Sequence, residues 1–280
     1  MTKEDALSLY LSDGTTSDKL MESYAEVIDM IQLGAISNII KNTNLSGDPE
    51  SGSVEVRRLM TAVSQAYGTA RTSGAGDKVK SNGVTINLDT DKEIIEEIET
   101  KDILFYGVDG ILEKRKSNHA LAMIRELDTA FFTEAESEGT EETITSTDIE
   151  DKIEELIQSV ETTSNSNVDG VSRDMIVLTV TPSIYGELRN YIDTLPNPIA
   201  GGIDIKTFHD VKIYSNTRQS KDAICMVVGA VAQPVVAEPY QAERIGLSNA
   251  VAVELFYSYG TKAVMSDLIK YATLTEVASA

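Results

Sequence analysis

Two alternating apolar runs, Val54 with Val56 and then Val84, Ile86 and Leu88, bracket a polar, Gly-containing stretch, and this pattern constrains the fold more than any other. Alternation of period two marks a strand with one buried face. Residues 53–90 therefore read as a long two-stranded arm. Between the runs lie Arg57, Arg58, Arg71, Lys78 and Lys80 and the segment Ser73-Gly74-Ala75-Gly76, which predict a flexible, basic tip. An isolated ribbon is marginal in water, so such an arm must lie on something else, either the body of its own chain or another copy.

The arm is preceded by an amphipathic helix over 17–33, with Leu20, Tyr24, Val27, Ile28 and Ile31 at helical spacing, Ser17 as its cap and Gly34 as its end. A polar loop over 42–52 follows, with Pro49 inside it. Beyond the arm, Leu121, Ile124, Leu127 and Phe131 predict one apolar stripe on a core helix over 118–135. Between Glu134 and Glu161 there are eleven acids and one base, Lys152, a net of -10 (1 minus 11). Thr147-Asp148-Ile149-Glu150 has capping-box spacing, and Ile149, Ile153, Leu156, Ile157 and Val160 recur at helical intervals. This segment reads as a capped amphipathic helix with a solvated acidic face that carries Asp148, Glu150, Asp151, Glu154 and Glu155.

The remainder is strand-rich. Met175 to Val180 is a short apolar run, and Pro182 suits the first turn of a helix over 183–192. Ile203 with Ile205, and Val211 with Ile213, read as two strands around the turn Thr207-Phe208-His209-Asp210. Ala223 to Ala232 is a buried strand, and Val251, Val253, Leu255 and Tyr257 alternate in a last long one. From Met265 onward the pattern predicts no definite element.

The chain has 280 residues, 45 acids against 24 bases and a formal charge of -21, with 41% hydrophobic residues. That length and composition suit a globular chain with a sizeable core. The charge repels a nucleic-acid backbone, and no basic stripe is present to offset it. A single Cys excludes an internal disulfide, and Cys225 sits in an apolar run where an inert buried thiol in a reducing compartment is expected. The acidic N-terminus does not look like an export signal, which implies cytoplasmic synthesis. The longest apolar stretch falls far short of the roughly 18 residues of a membrane span.

Catalytic patterns are thin. His119 and His209 lie far apart in sequence, and the bland reading of each is a helix-start residue and a surface turn. His209 with Asp210 and either Ser183 or Ser215 makes a formal triad set, but neither Ser stands in a Gly-x-Ser-x-Gly elbow. Gly74-Ala75-Gly76-Asp77-Lys78 lacks the ending of a phosphate loop. Asp89-Thr90-Asp91 lacks the Gly and Glu of a calcium loop, and it reads as helix-start acids before Ile94 and Ile95. No motif here requires a cofactor or a metal.

The order of segments, helix, basic two-stranded arm, core helix, acidic mixed domain and return strand, resembles the major capsid proteins of tailed phages, the Hong Kong 97-like fold. The stretches that carry the resemblance are Asp169-Gly170-Val171 leading through Met175–Thr181 to Pro182–Leu188, then Gly202–Ile205 with Asp210–Ser215, and 250–260 in the closing strand. It implies an α+β fold with an N-terminal arm at 1–52 and an extended E-loop at 53–90. A peripheral domain with a long spine helix would comprise 91–137 and 238–280, and an axial domain with a mixed sheet 138–237. It implies a structural, non-enzymatic protein that self-assembles through pentamers and hexamers into an icosahedral shell around packaged DNA, without sequence-specific DNA contact. The virion is then its location and the host cytoplasm its place of assembly.

By this resemblance Val54, Val56, Arg57, Arg58, Arg71, Lys78 and Lys80 would form inter-subunit contacts. Scaffolding would be a separate protein or dispensable, portal and decoration proteins are possible partners, and no cross-link between subunits is expected. An encapsulin nanocompartment shell is the related alternative. A hydrolase or metal-dependent enzyme built on the acidic cluster and His209, and a phage tail or adaptor component, are the alternatives of other classes.

Overall fold

The computed structural model describes residues 24–32, 34–59, 66–67, 81–99, 108–194, 206–238, 241–244 and 250–274. Helix α1 covers 24–32, and its apolar face is real: Val27 and Ile31 are buried, with Tyr24 and Ile28 half-buried beside them. It stops around Gly34, as the sequence predicts, because Ala35 turns to an extended conformation before the short helix α2, Ile36–Ile40. Ser17 and Leu20, the expected start, lie outside the described residues.

Strands β1, Ser53–Leu59, and β2, Ser81–Asn87, form the expected antiparallel ribbon, in register from Ser53 opposite Asn87 to Leu59 opposite Ser81. The next element differs from expectation. Residues Thr90–Glu99 are strand β3, not a helix start. Ile94 and Ile98 face inward while Asp91, Glu93, Ile95, Glu97 and Glu99 are exposed, so alternate positions divide between core and solvent. Ten consecutive pairs with the distant strand β12, Ala250–Tyr259, fix that choice over any local helical preference.

Helix α3, Val108–Glu138, is longer than the sequence suggests; 31 residues at about 1.5 Å each span roughly 46 Å. Its buried stripe is also rotated. Ala120, Met123, Leu127, Phe131 and Ala135 are buried, whereas Leu121 is 59% exposed, so Leu121 does not belong to the core. The two halves of α3 serve different sheets. Ala120, Met123 and Leu127 join α1 in covering the inner face of a four-stranded sheet, against Val253, Leu255, Tyr257 and Tyr259 of β12. That sheet also contains β10, Val235–Ala237, and β11, Gln241–Arg244.

Phe131, Phe132 and Ala135 instead pack on a six-stranded sheet. Its strands, in spatial order, are β4 (Thr140–Glu141), β14 (Ile269–Ala272), β8 (Ala223–Val227), β5 (Ile176–Val180), β7 (Val211–Ser215) and β6 (Thr207–Phe208). On its other face lie α4, Ile149–Glu161, and α5, Pro182–Thr194, through Ile153, Leu156, Ile157, Val160, Ile184 and Leu188. Strand β5 is buried along its whole length, as a central strand covered on both faces must be. Strand β14 has no signal in the sequence pattern, and residues 269–272 pair with β4 and β8 in this sheet.

Three local details complete the frame. His209 and Asp210 alone turn the β6–β7 hairpin, at φ 47° and 68°, the left-handed pair that a type I′ two-residue turn uses to match the twist of its strands. The four-residue turn expected there is thus narrower, and Thr207 and Phe208 belong to the strand; Ile203 and Ile205 lie outside the described residues. Strand β9, Val231–Ala232, pairs with β13, Lys262–Ala263, after a break at Gly229, so the run 223–232 is two strands.

At Gly260 an added Cβ would sit 1.9 Å from the Asn87 carbonyl oxygen at the end of β2. That strand end is fixed, because Leu88 N–H donates to the Gly52 carbonyl at 2.9 Å. Gly260→Ala is therefore expected to lower the unfolding free energy by about 1–3 kcal/mol in urea denaturation, through forced displacement of the ribbon base.

Candidate assembly surfaces

The base of the ribbon is bound to its own chain. Val54, Val56 and Ile86 are each at most 2% exposed, and they pack with Ala232 of β9 and Val264 just after β13. Arg58 makes a two-pronged bond to Asp267, 2.5 Å and 3.0 Å, and Asn165 donates to the same carboxylate at 2.6 Å. Burial works against the charge on Asp267, but Arg58 and Asn165 outweigh it and hold its carboxyl below the usual range. Val54, Val56 and Arg58 thus serve an intrachain joint at the base of the ribbon. Arg57 is exposed and pairs with Glu55 two residues away on its own strand. Arg71, Lys78 and Lys80 lie outside the described residues.

A second cluster forms where the acidic helix α4 meets the six-stranded sheet. Residues four and seven apart bring Glu150, Glu154 and Glu161 along one side of α4. Arg173, from a single 3-10 turn before β5, bonds Glu154 and donates to Glu161 at 2.7 Å and 3.0 Å. The same guanidinium donates to the His209 carbonyl at 3.2 Å. The His209 ring lies 2.8 Å from Glu154 Oε2 and 3.3 Å from Glu150 Oε1, stacked on Phe208, and the Tyr191 hydroxyl donates to Glu150. The acidic face expected to be bare is therefore partly capped by Arg173, His209 and Tyr191.

The other acids of α4 differ among themselves. Glu155 accepts from the backbone N–H of Thr145 and Ser146 and from both hydroxyls, which holds its carboxyl below the usual range. Asp148 occupies the cap position without a side-chain cap bond, so the predicted box is not formed, and Asp151 is exposed.

Both ring nitrogens of His209 face carboxylates on α4 rather than Ser183 or Ser215, so the triad set is not assembled. His119 is buried well inside α3, with Nε2 3.0 Å from Glu96, which also receives two bonds from Arg115. This corrects its reading as a helix-start residue. Among the described residues no group of three or more His, Cys, Asp or Glu side chains is placed to hold a metal ion. Cys225 is fully buried, and burial pushes its thiol far above the ordinary value. Among the same residues no helix is long and apolar enough to cross a membrane.

Burial opposes the charge on Glu154, yet bonds from Arg173, His209 and Gln158 prevail and hold its carboxyl at about 2. A depressed folded-state value stabilises the fold above the unfolded value of 4.5, and that contribution is lost as pH falls from there toward 2. Equilibrium unfolding between those limits should show a stability slope that is shallower in Glu154→Gln. An identical slope in the variant would place the acid sensitivity elsewhere.

The third surface is hidden in the sequence, because β3 reads there as a helix start. The outward face of the four-stranded sheet carries Asp91, Glu93, Glu97 and Glu99 around exposed Ile95, with half-exposed Glu254 and Phe256 on β12 alongside. Neighbouring acids on one strand face stand about 7 Å apart, close enough to repel. No Lys or Arg side chain among the described residues of β3 shares this face, since Lys92 points inward to Glu126 at 2.9 Å. The sheet thus presents a negative surface with a small apolar centre.

No protein-family model matches the sequence, and no curated protein matches it. Solved structures do. A structure from Mycobacterium phage Che8 is 18% identical with a TM-score of 0.59, covering 79% of this chain and 84% of its own. The mature capsid of bacteriophage PhiM1 is 15% identical with a TM-score of 0.55, over 83% of this chain and 85% of its own. The virus-like particle from Pyrococcus furiosus is 12% identical with a TM-score of 0.58, over 91% of this chain and 98% of its own. Such identities speak to the fold alone. By that likeness the chain has the fold of these phage capsid structures.

Proposed function

We propose that this chain is the major capsid protein of a tailed double-stranded DNA phage, self-assembling into an icosahedral head shell. The observation that carries this reading is structural likeness over most of the chain to subunits of capsids and a virus-like particle. In this reading 53–90 is the E-loop and α3 the spine helix. The axial domain comprises 138–237 together with 269–272, and the peripheral domain 91–137 with the rest of 238–280. Pentamers and hexamers are the building units, with separate scaffolding, portal and decoration proteins as further partners and the virion, assembled in host cytoplasm, as the location. The role is structural rather than enzymatic.

Charge gives a physical basis for contact between copies. The arm segment 57–80 carries Arg57, Arg71, Lys78 and Lys80, while the sheet face carries Asp91, Glu93, Glu97 and Glu99. Opposite patches meeting between copies steer association and set register more than they add affinity. The double reversal Glu93→Lys with Glu97→Lys should slow assembly about tenfold in low salt, with a smaller effect in high salt where the Debye length is short. Light scattering reads both rates, and an unchanged low-salt rate would remove this contact from the scheme. A net acidic wall would also repel packaged DNA within about 8–10 Å.

Likeness to the virus-like particle supports a second reading, an encapsulin shell around cargo proteins. Sedimentation of the purified chain tests the common claim: a large, uniform particle is expected, and protein that stays monomeric in every buffer would overturn it. Particles from the native source that hold DNA favour the phage head, and particles that hold protein favour the nanocompartment.

A further inference from the structure

Strand β3 is a long edge in a chain whose two larger sheets otherwise keep their edges short. The six-stranded sheet ends in β4 and β6, two residues each, and the far side of β12 is shared by β10 and β11, of three and four residues. Strand β3 instead runs ten residues without Pro, Gly or a bulge, and among the described residues β12 is its one strand partner. In an antiparallel ladder half of its N–H and C=O groups point away from that partner. Burial shows the same opening: no residue of β3 is buried, and Ile94 is half-exposed although Leu255, directly across from it, is 0% exposed. A long regular edge of this kind is a template for a further strand.

The charges on β3 select the strand. Asp91, Glu93 and Glu97 line its outward face, so a second β3 laid antiparallel along the edge would set acids against acids. A strand with bases at alternate positions and an apolar residue between them fits, the bases on the side of the acids and the apolar residue on the side of Ile94. Lys78-Val79-Lys80 has that pattern, and outside α3 these lysines are the only Lys or Arg residues of the chain that stand two positions apart. Along an extended strand both lysines fall on one face, about 7 Å apart, and Val79 falls on the other.

We propose that the open edge of β3 accepts residues 78–80 of a neighbouring copy as a further strand, with Val79 beside Ile94, one lysine opposite Glu93 and the other diagonal to Glu97. This rests on the shell reading and sharpens it: backbone bonds along the edge hold the arm, and charge selects the segment that enters. Opposite charges paired across neighbouring strands are favourable, and diagonal neighbours remain within reach of a side chain as long as Lys.

Hydrogen exchange over residues 90–99 of the full-length chain tests this. In unassembled subunits the edge amides of β3 should exchange freely, and assembly into particles should slow about half of the amides in that window by at least about tenfold. A synthetic peptide of residues 75–84 added to subunits should slow the same amides. The peptide N-methylated on the backbone at Lys78, Val79 and Lys80 keeps its charge but loses its donors, and it should have no effect; nor should the peptide that carries Lys78→Glu with Lys80→Glu. Equal protection by the N-methylated peptide would mean that charge alone makes the contact, and would overturn strand addition. So would edge amides that are already slow in subunits, because the chain would then cover its own edge, and so would subunits that the unmodified peptide leaves open. Particles that form while these amides stay open would overturn the edge site and leave the shell reading intact. A chain that the peptide protects but that forms no particles would overturn the shell reading and leave the edge site standing.

Discussion

Replacing residues 60–80 by a short Gly-Ser turn will leave a folded protein that forms no closed particles. The body should survive because the ribbon is anchored below the excised segment. Val54, Val56 and Ile86 are buried against Ala232 and Val264, and Arg58 grips Asp267. The shell should not survive, because an interaction removed from one subunit is removed at every equivalent position of a closed symmetric assembly. Deleting Arg71, Lys78 and Lys80 also takes away most of the positive charge that faces the acidic sheet in the proposed contact. Circular dichroism with thermal melting checks the fold, and light scattering checks the particle. Full-sized particles from this variant would exclude the arm from assembly.

Phe131→Ala should have the largest effect on stability, about 3–5 kcal/mol in urea denaturation. Phe131 is fully buried, and its ring meets that of Phe132 edge to face at 5.3 Å. It belongs to a cluster with Ile40 of α2, Val177, Ile224 and Met226 of the six-stranded sheet, and Ile269 of β14. Truncation opens a cavity where helix, sheet and C-terminal strand converge, and none of these can close it without moving the others. Leu121→Ala, on the exposed side of the same helix, should change stability by no more than about 0.5 kcal/mol. Equal losses in the two variants would contradict the rotation of the buried stripe.

That rotation shows where sequence patterning ends. Leu127 and Phe131 are correctly placed in the stripe, but Leu121 completes the spacing only on paper, and the true face runs through the small residues Ala120 and Ala135. The ribbon, α4, β5, α5 and β12 are legible because each has a strong local period or a Pro or Gly boundary. Strand β3 is not, because adjacent Ile94 and Ile95 among acids suit a helix turn as well as a strand, and ten pairs with β12 from far along the chain decide between them. Strand β14 is only four residues long, and its place between β4 and β8 is set wholly by distant partners.

The surfaces divide in the same way. Basic arm and acidic helix are visible as charge, but which charges remain available is not. Arg58 looks like its neighbour Arg57, yet one is tied to Asp267 and the other is exposed. One sign of the Arg173 hub is present: it is the only Lys or Arg between Lys152 and Arg189, directly after the most acidic stretch of the chain. The negative sheet face is invisible as long as 90–99 reads as a helix, since only a strand sends Asp91, Glu93, Glu97 and Glu99 to one side.

Self-assembly into a shell is the central claim, and cryo-electron microscopy of the purified full-length chain tests it most directly. Closed icosahedral particles are expected, with the arm of each subunit lying on the acidic sheet face of a neighbour. Tubes, isolated rings or monomers with the arm folded back on its own body would contradict it.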